Sequence, residues 1–221
     1  MQIDILTLFP EMFNGILKES ILKRAQEKKK VKINIFNLRH WTHDKRKTVD
    51  DKPFGGGPGM IIKPEPVYEA CDDLCKQKTH VVLLTPQGQK FHQKKAKQLL
   101  KYKHLLLICG HYEGFDERIR TLCDEEISIG DYILTCGEIP AMVIIDSVTR
   151  LIPGVLGEKD SLAEESFSNN LLEYPQYTRP QVYRNLRVPE IIISGDHKKI
   201  EKWRKQQSLK RTRLRRKDLL E

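Results

Sequence analysis

Short apolar runs alternate with amphipathic stretches through residues 2–150, and no other feature narrows the possible folds as much. Residues 2–8 alternate as a buried strand does, and Phe9-Pro10 ends it. Met12, Phe13, Ile16, Leu17, Ile21 and Leu22 then recur at helical spacing until the Lys28-Lys29-Lys30 run, and Val31, Ile33 and Ile35 mark a second strand. The pattern stops over 38–60, which is polar, basic and then glycine-rich, a long loop of the kind usually kept for function. It resumes with a helix after Pro66, a strand over 81–84, a helix over 91–101, a strand over 105–109, a helix over 116–122, a strand over 126–129 and a helix over 139–150. Strands this uniformly apolar need cover on both faces, which predicts a parallel sheet between layers of helices. The expected first domain is α/β.

Past Arg150 the composition changes. Pro153-Gly154, Gly157 and the acidic, Ser/Asn-rich residues up to Asn170 read as a linker. Pro175, Pro180 and Pro189 punctuate the remainder of the chain, and helices are expected over 197–206 and 213–220. The layout is thus a first domain over 1–157, a linker over 158–172 and a small, basic, helical domain over 173–221. Residues 197–221 hold eleven Lys/Arg against three acids, a net +8 out of the chain's +9. A nearly neutral body with one basic end points to a polyanion held by one face, most commonly nucleic acid, with a solvated surface helix as the alternative.

No apolar run approaches the roughly 18 residues of a membrane span, and the first segment carries an acid and no basic leader, so it reads as a strand and not as a signal peptide. The five cysteines form no C-x-x-C pair, which predicts neither a disulfide framework nor a metal site and fits a reducing cytoplasm.

Gly55-Gly56-Gly57-Pro58-Gly59 matches neither G-x-G-x-x-G nor the G-K-[ST] of a phosphate-binding loop. So dense a run of glycine still excludes side chains, either for a mobile turn or because a ligand approaches the backbone. Three further loops follow apolar strands: Thr85-Pro86-Gln87-Gly88, Gly110-His111-Tyr112-Glu113-Gly114 and Gly130-Asp131-Tyr132. In an open α/β sheet, ligands bind outside the carboxyl ends of the strands, where these loops would gather. Being almost free of Lys and Arg, they suit a small organic cofactor held by main-chain groups better than a polyphosphate.

The segments FGGGPGM (54–60), TPQG (85–88), GHYEGFDER (110–118), SIGDYIL (128–134), GEIPAM (137–142), RLIPGVLG (150–157) and YPQYTRP (174–180) together resemble the bacterial tRNA (guanine-N1)-methyltransferases of the SPOUT superfamily, and the resemblance runs to the closing SLKRTRLRRKDLLE. It implies a parallel sheet with a deep trefoil knot towards the end of the first domain, which general connection rules would have rejected. It also implies S-adenosylmethionine as cofactor, tRNA as substrate, methylation at N1 of the guanine just 3′ of the anticodon, and a homodimer whose sites draw on both subunits. Residue by residue, it sets Thr85 and Pro86, Gly110, Tyr112, Glu113 and Gly114, Ile129, Gly130, Asp131, Tyr132, Ile133 and Leu134, and Gly137 and Pro140 against the cofactor. Asp50 and Asp51, just before the glycine loop, are candidates to contact the guanine, Gly56 and Gly57 of that loop to contact RNA, and Arg213, Arg215 and Arg216 of the basic tail to hold the tRNA, while Arg150 aligns with the family's active-site arginine. Where the family usually has aspartate as general base, this chain has Glu165. Read without the resemblance, Glu165 is a solvated linker acid, Arg150 equally a helix cap, Asp50 and Asp51 equally loop solubilisers, and Tyr112 equally a half-buried core residue.

The chemistry asks for these types. Guanine N1 must lose a proton as the methyl arrives, and a carboxylate within reach accepts it. Charge then builds towards O6, where a guanidinium answers it. Two departures, Cys136 for a customary glycine in Thr135-Cys136-Gly137-Glu138 and Glu165 for the customary aspartate, prompt a rival from another class, a non-catalytic RNA-binding protein with a degenerate pocket, while Ser168-Asn169-Asn170 departs in the linker. A second rival, a knotted methyltransferase of ribose 2′-OH, is disfavoured by FGGGPGM and YPQYTRP.

Overall fold

The computed structural model describes residues 1–156 and 164–221. The chain divides into two compact units, Met1–Gly157 and Glu158–Glu221.

The first unit is an α/β layered fold. Its sheet contains β1 (Gln2–Thr7), β2 (Lys32–Asn37), β5 (Thr79–Lys90), β6 (His104–Cys109) and β7 (Glu125–Ser128), all parallel in the order β2-β1-β6-β5-β7. A separate antiparallel pair, β3 (Asp50–Asp51) and β4 (Ile61–Ile62), flanks the glycine-rich loop. Every residue of central β6 is buried, the requirement that made its run apolar throughout. Strand alternation sends Leu6, Val81, Leu83, Leu106 and Ile108 to one face, where they cluster with Val67, Ala70 and Cys71 of α3 (Pro64–Leu74) and with Ile119. Helix α5 (Glu138–Thr149) packs against β1 and β6, and also against α2 (Ser20–Glu27) and α4 (Gln93–Leu99). At the N-terminal edge of the sheet, buried Asp4 accepts from Gln2 and from Asn34 Nδ2 (2.6 Å) and lies 2.8 Å from His104 Nε2, a network that links β2, β1 and β6 in one register.

Several expected elements differ. The long first helix is broken into a 3-10 turn at Pro10–Phe13, α1 (Asn14–Leu17) and α2, because Ser20 sits at φ 49°, outside helical space. The stretch over 116–122 is a 3-10 helix, Glu117–Leu122, fastened by Tyr68, whose hydroxyl donates to the Arg118 carbonyl at 2.9 Å. β5 does not stop at Leu84. Leu84 and Gln89 both pair with Ile127, so residues 85–88 bulge outward and the strand then resumes.

In the second unit, α7 (His197–Arg215) is one unbroken helix where two were expected, followed by a 3-10 turn at Lys217–Leu219. Its buried residues Ile200, Ser208 and Thr212 keep helical spacing, but two are polar and so evade a search for apolar periodicity. Thr212 turns its hydroxyl to the Ser208 carbonyl (2.7 Å) and accepts from the Leu172 backbone N–H (2.8 Å), which ties the segment after Glu164 to the helix. A hairpin of β8 (Val182–Tyr183) and β9 (Leu186–Arg187) and a short helix α6 (Glu190–Ile193) precede α7. The hairpin was not anticipated. Its signal is the Arg184-Asn185 pair, at φ 46° and 64°, which makes the two-residue turn that asparagine favours.

Candidate active site

The carboxyl ends of β5, β6 and β7 open into a cleft of about 390 Å³, walled by the bulge after Leu84, the loop 110–115 and the segment 127–137. That volume lies in the range of small-ligand sites, roughly 300–1,000 Å³. Every residue predicted to hold the cofactor lines this cleft except Asp131, whose exposed carboxylate pairs with Lys90. The walls contain one carboxylate, Glu113, and neither Lys nor Arg.

Two close backbone approaches shape the cleft. Gly137 N–H donates to the Gly110 carbonyl at 2.7 Å, and a Cβ on Gly137 would stand 2.5 Å from Gly110 N and 2.8 Å from Cys109 Cα. The glycine-rich loop reaches the same cleft through Glu113, whose N–H donates to the Met60 carbonyl (3.0 Å) and whose side chain would meet a Cβ on Gly59 at 2.4 Å. Ile62 N–H then donates to the Gly114 carbonyl (2.9 Å), so β4, and through it Asp50 on β3, is joined to the cleft wall. Gly56 and Gly57 are both exposed; a Cβ would meet nothing within 4 Å at Gly56 and only Pro53 Cγ, at 4.0 Å, at Gly57. Tyr112 holds φ 59°, a sparse conformation for a non-glycine residue that its neighbours must maintain.

Next in sequence to the cleft residue Gly137, Glu138 makes a buried polar contact that sequence reading missed. Thr7, at the end of β1, accepts from the Phe9 N–H (2.9 Å) and donates its own proton to Glu138 Oε1 at 2.5 Å, pinning β1 to the first turn of α5. Glu138 is fully buried, and its Oε2 has no hydrogen-bond partner among the described residues. Burial, with the Glu138 carboxylate alongside, pushes the Cys136 thiol above its ordinary pKa, so Cys136 stays a protonated wall group of the cleft. Thr7→Val should therefore take the hydroxyl donor from buried Glu138 Oε1 and lower the unfolding free energy by about 1–3 kcal/mol, visible as a reduced urea midpoint at unchanged slope.

Residues 1–221 match the family profile described as tRNA (Guanine-1)-methyltransferase TrmD. A tRNA (guanine-N(1)-)-methyltransferase of Carboxydothermus hydrogenoformans is 60% identical over 221 residues, all of this chain and 87% of the relative. Those of Dictyoglomus turgidum and Bacillus subtilis are 56% and 57% identical, covering all of this chain and 90% and 92% of the relatives. The chain belongs to the TrmD family.

In this TrmD-family chain the two predicted catalytic residues fall in different units. Arg150 caps α5 in the first, half-buried, its N–H donating to the Asp146 carbonyl at 3.1 Å, and Glu165 is half-buried in the second, where its carbonyl accepts from the Ser168 N–H. Beside it, Tyr174 donates to Glu164 (2.6 Å) under the Arg204 guanidinium, and burial with that hydrogen bond pushes the phenol up to about 12. Arg213 and Arg215 are exposed on the last turn of α7. Arg216, just beyond, pairs with Asp218 (2.6 Å) and lies over the Phe167 ring. His111 is a further cleft residue that the sequence did not single out, and its Nδ1 is buried without a partner among the described residues. No group of three or more His, Cys, Asp or Glu able to hold a metal is found among the described residues.

Proposed function

We propose that this chain transfers the methyl group of S-adenosylmethionine to N1 of the guanine immediately 3′ of the tRNA anticodon. The observation that carries the cofactor reading is the cleft itself, glycine-lined, with a single carboxylate and no cation, which suits a positively charged sulfonium and offers a polyphosphate nothing. When bound, the cofactor supplies a methyl group already activated by the sulfonium. Thr85, Pro86 and the 110–114 and 129–137 loops hold it through main-chain groups, and Glu113 faces its charge. Glu165 takes the N1 proton and Arg150 answers the charge on O6, so that positioning and one proton transfer make up the chain's share of the chemistry. Asp50, Gly56 and Gly57 border the guanine.

Residues 1–157 carry the cofactor and Arg150, residues 158–172 form a linker that supplies Glu165, and residues 173–221 bind tRNA. A trefoil knot is consistent with a chain that leaves edge strand β7, touches Gly110 with Gly137 and returns to central β1 and β6 through α5. A homodimer is supported by exposed Ile139 and Val143, one turn apart on α5, together with exposed Phe9 and Met12 of the segment packed against that helix. No helix among the described residues is long and apolar enough to cross a membrane, and the five unpaired cysteines suit the cytoplasm.

The test is methylation of a tRNA transcript with labelled S-adenosylmethionine. Label should enter N1 of the guanine 3′ of the anticodon and vanish when adenine replaces it; label elsewhere, or none, refutes the reading. Calorimetry with S-adenosylmethionine alone separates the rival, since a degenerate pocket gives no heat of binding. Within the tRNA-binding reading, Arg213→Ala with Arg215→Ala should weaken tRNA binding and lower its log–log salt slope by roughly one per lost phosphate contact, without changing cofactor affinity. Arg216→Ala should do less, because its guanidinium is already held by Asp218.

A further inference from the structure

The twelve residues 176–187 are exposed without a break, yet they contain an ordered hairpin closed by the Val188 N–H to Gln181 carbonyl bond at 3.0 Å. A two-stranded hairpin with neither face covered is marginal in water. This one nevertheless presents apolar surface on both faces. Tyr183 and Leu186, a cross-strand pair, are 60% and 75% exposed, and Val182 on the opposite face is exposed too. Over residues 174–189 there are three arginines, three tyrosines and no acid, so the segment repels cations and offers its charge only to an anion. The Arg184 guanidinium lies 5.4 Å from the Tyr183 ring centroid, so a flat cation and a flat ring stand together at the tip.

We propose that the β8–β9 hairpin is a contact surface for the tRNA substrate, with Tyr183 and Arg184 stacking on an unpaired base and Arg187 holding a neighbouring phosphate. The proposal rests on the reading of the chain as a tRNA methyltransferase. Bases exposed in RNA loops are taken up by aromatic rings and guanidinium planes, and their phosphates by arginine, the two groups that the hairpin carries. A protein partner is less well matched, because the segment has no carboxylate to meet a basic surface. The turn explains the arrangement: positive φ at Arg184 and Asn185 reverses the chain in two residues and brings Tyr183 and Leu186 side by side.

The test compares the full chain with Tyr183→Ala, Tyr183→Phe, Arg184→Ala and Arg187→Ala by filter binding of a tRNA transcript over a range of salt, with methylation kinetics and sedimentation velocity. Tyr183→Ala should weaken binding about tenfold with an unchanged salt slope, and Tyr183→Phe, which keeps the ring, should restore it. Arg187→Ala should lower the slope by about one. Arg184→Ala should also weaken binding, and KM for tRNA should rise in the three weakened variants, Tyr183→Ala, Arg184→Ala and Arg187→Ala, with kcat and cofactor affinity unchanged. Wild-type tRNA affinity in all four variants overturns the inference while leaving the methyltransferase reading intact, as does loss of self-association in step with any loss of binding, which would make the hairpin a surface between copies. A wild-type chain that neither binds nor methylates tRNA fails both.

Discussion

Glu165→Gln is expected to reduce single-turnover methyl transfer by roughly a hundred to ten thousand fold, the usual worth of a positioned general base. The substitution keeps the shape and the hydrogen-bonding reach of the side chain and removes only its ability to accept a proton as a carboxylate. Because Glu165 is not among the residues that line the cleft, S-adenosylmethionine binding measured by calorimetry should stay nearly unchanged. Glu165→Asp should retain measurable activity, since it keeps a carboxylate and withdraws it by about 1.5 Å, one C–C bond. A misplacement near 1 Å can cost about a hundredfold, so the activity of the Asp variant reports how far the Ser- and Asn-rich backbone around Glu165 adapts. Near-normal single-turnover transfer by the Gln variant would move the base to another group, with neighbouring Glu164 the first to test.

Gly137→Ala should nearly abolish cofactor binding. Gly137 lies at φ −83°, a conformation open to any residue, so backbone strain plays no part. The obstacle is contact: the new methyl would lie 2.5 Å from Gly110 N and 2.8 Å from Cys109 Cα, both backbone atoms at the end of the central strand that cannot rotate away. The Gly137–Gly110 hydrogen bond must break and the cleft wall must separate, at a cost of about 1–3 kcal/mol or more in stability. Calorimetry with S-adenosylmethionine and a thermal melt measure both consequences. Gly56→Ala makes the contrast. There a Cβ meets nothing within 4 Å but φ is +80°, so the cost should be conformational, confined to the loop, with cofactor affinity preserved. Equal cofactor binding by wild type and Gly137→Ala would show that the contact between the two loops does not shape the site.

The sheet was legible because burial on both faces leaves a strand no polar alternative: the runs over 105–109 and 81–84 had to be central, and they are. Boundaries failed where a local conformation overrode the pattern, as at Ser20, or where polar side chains fill a buried face, as at Ser208 and Thr212. The loops that line the cleft were legible from glycine density together with their position after strands. Thr7 and Glu138 were not, because their pairing spans 131 residues and neither has a local signature. By itself, then, the sequence determined the class of fold, the ends of the strands at which a ligand must bind, the confinement of charge to the tail and, through its motifs, the family. The tertiary structure alone decided that Gly137 abuts Gly110, that Glu113 supports the glycine-rich loop and that a buried threonine–glutamate bond fastens the end of β1 to the start of α5. Periodicity reports which face of an element is buried, whereas contacts between distant residues arise only when the chain has closed on itself.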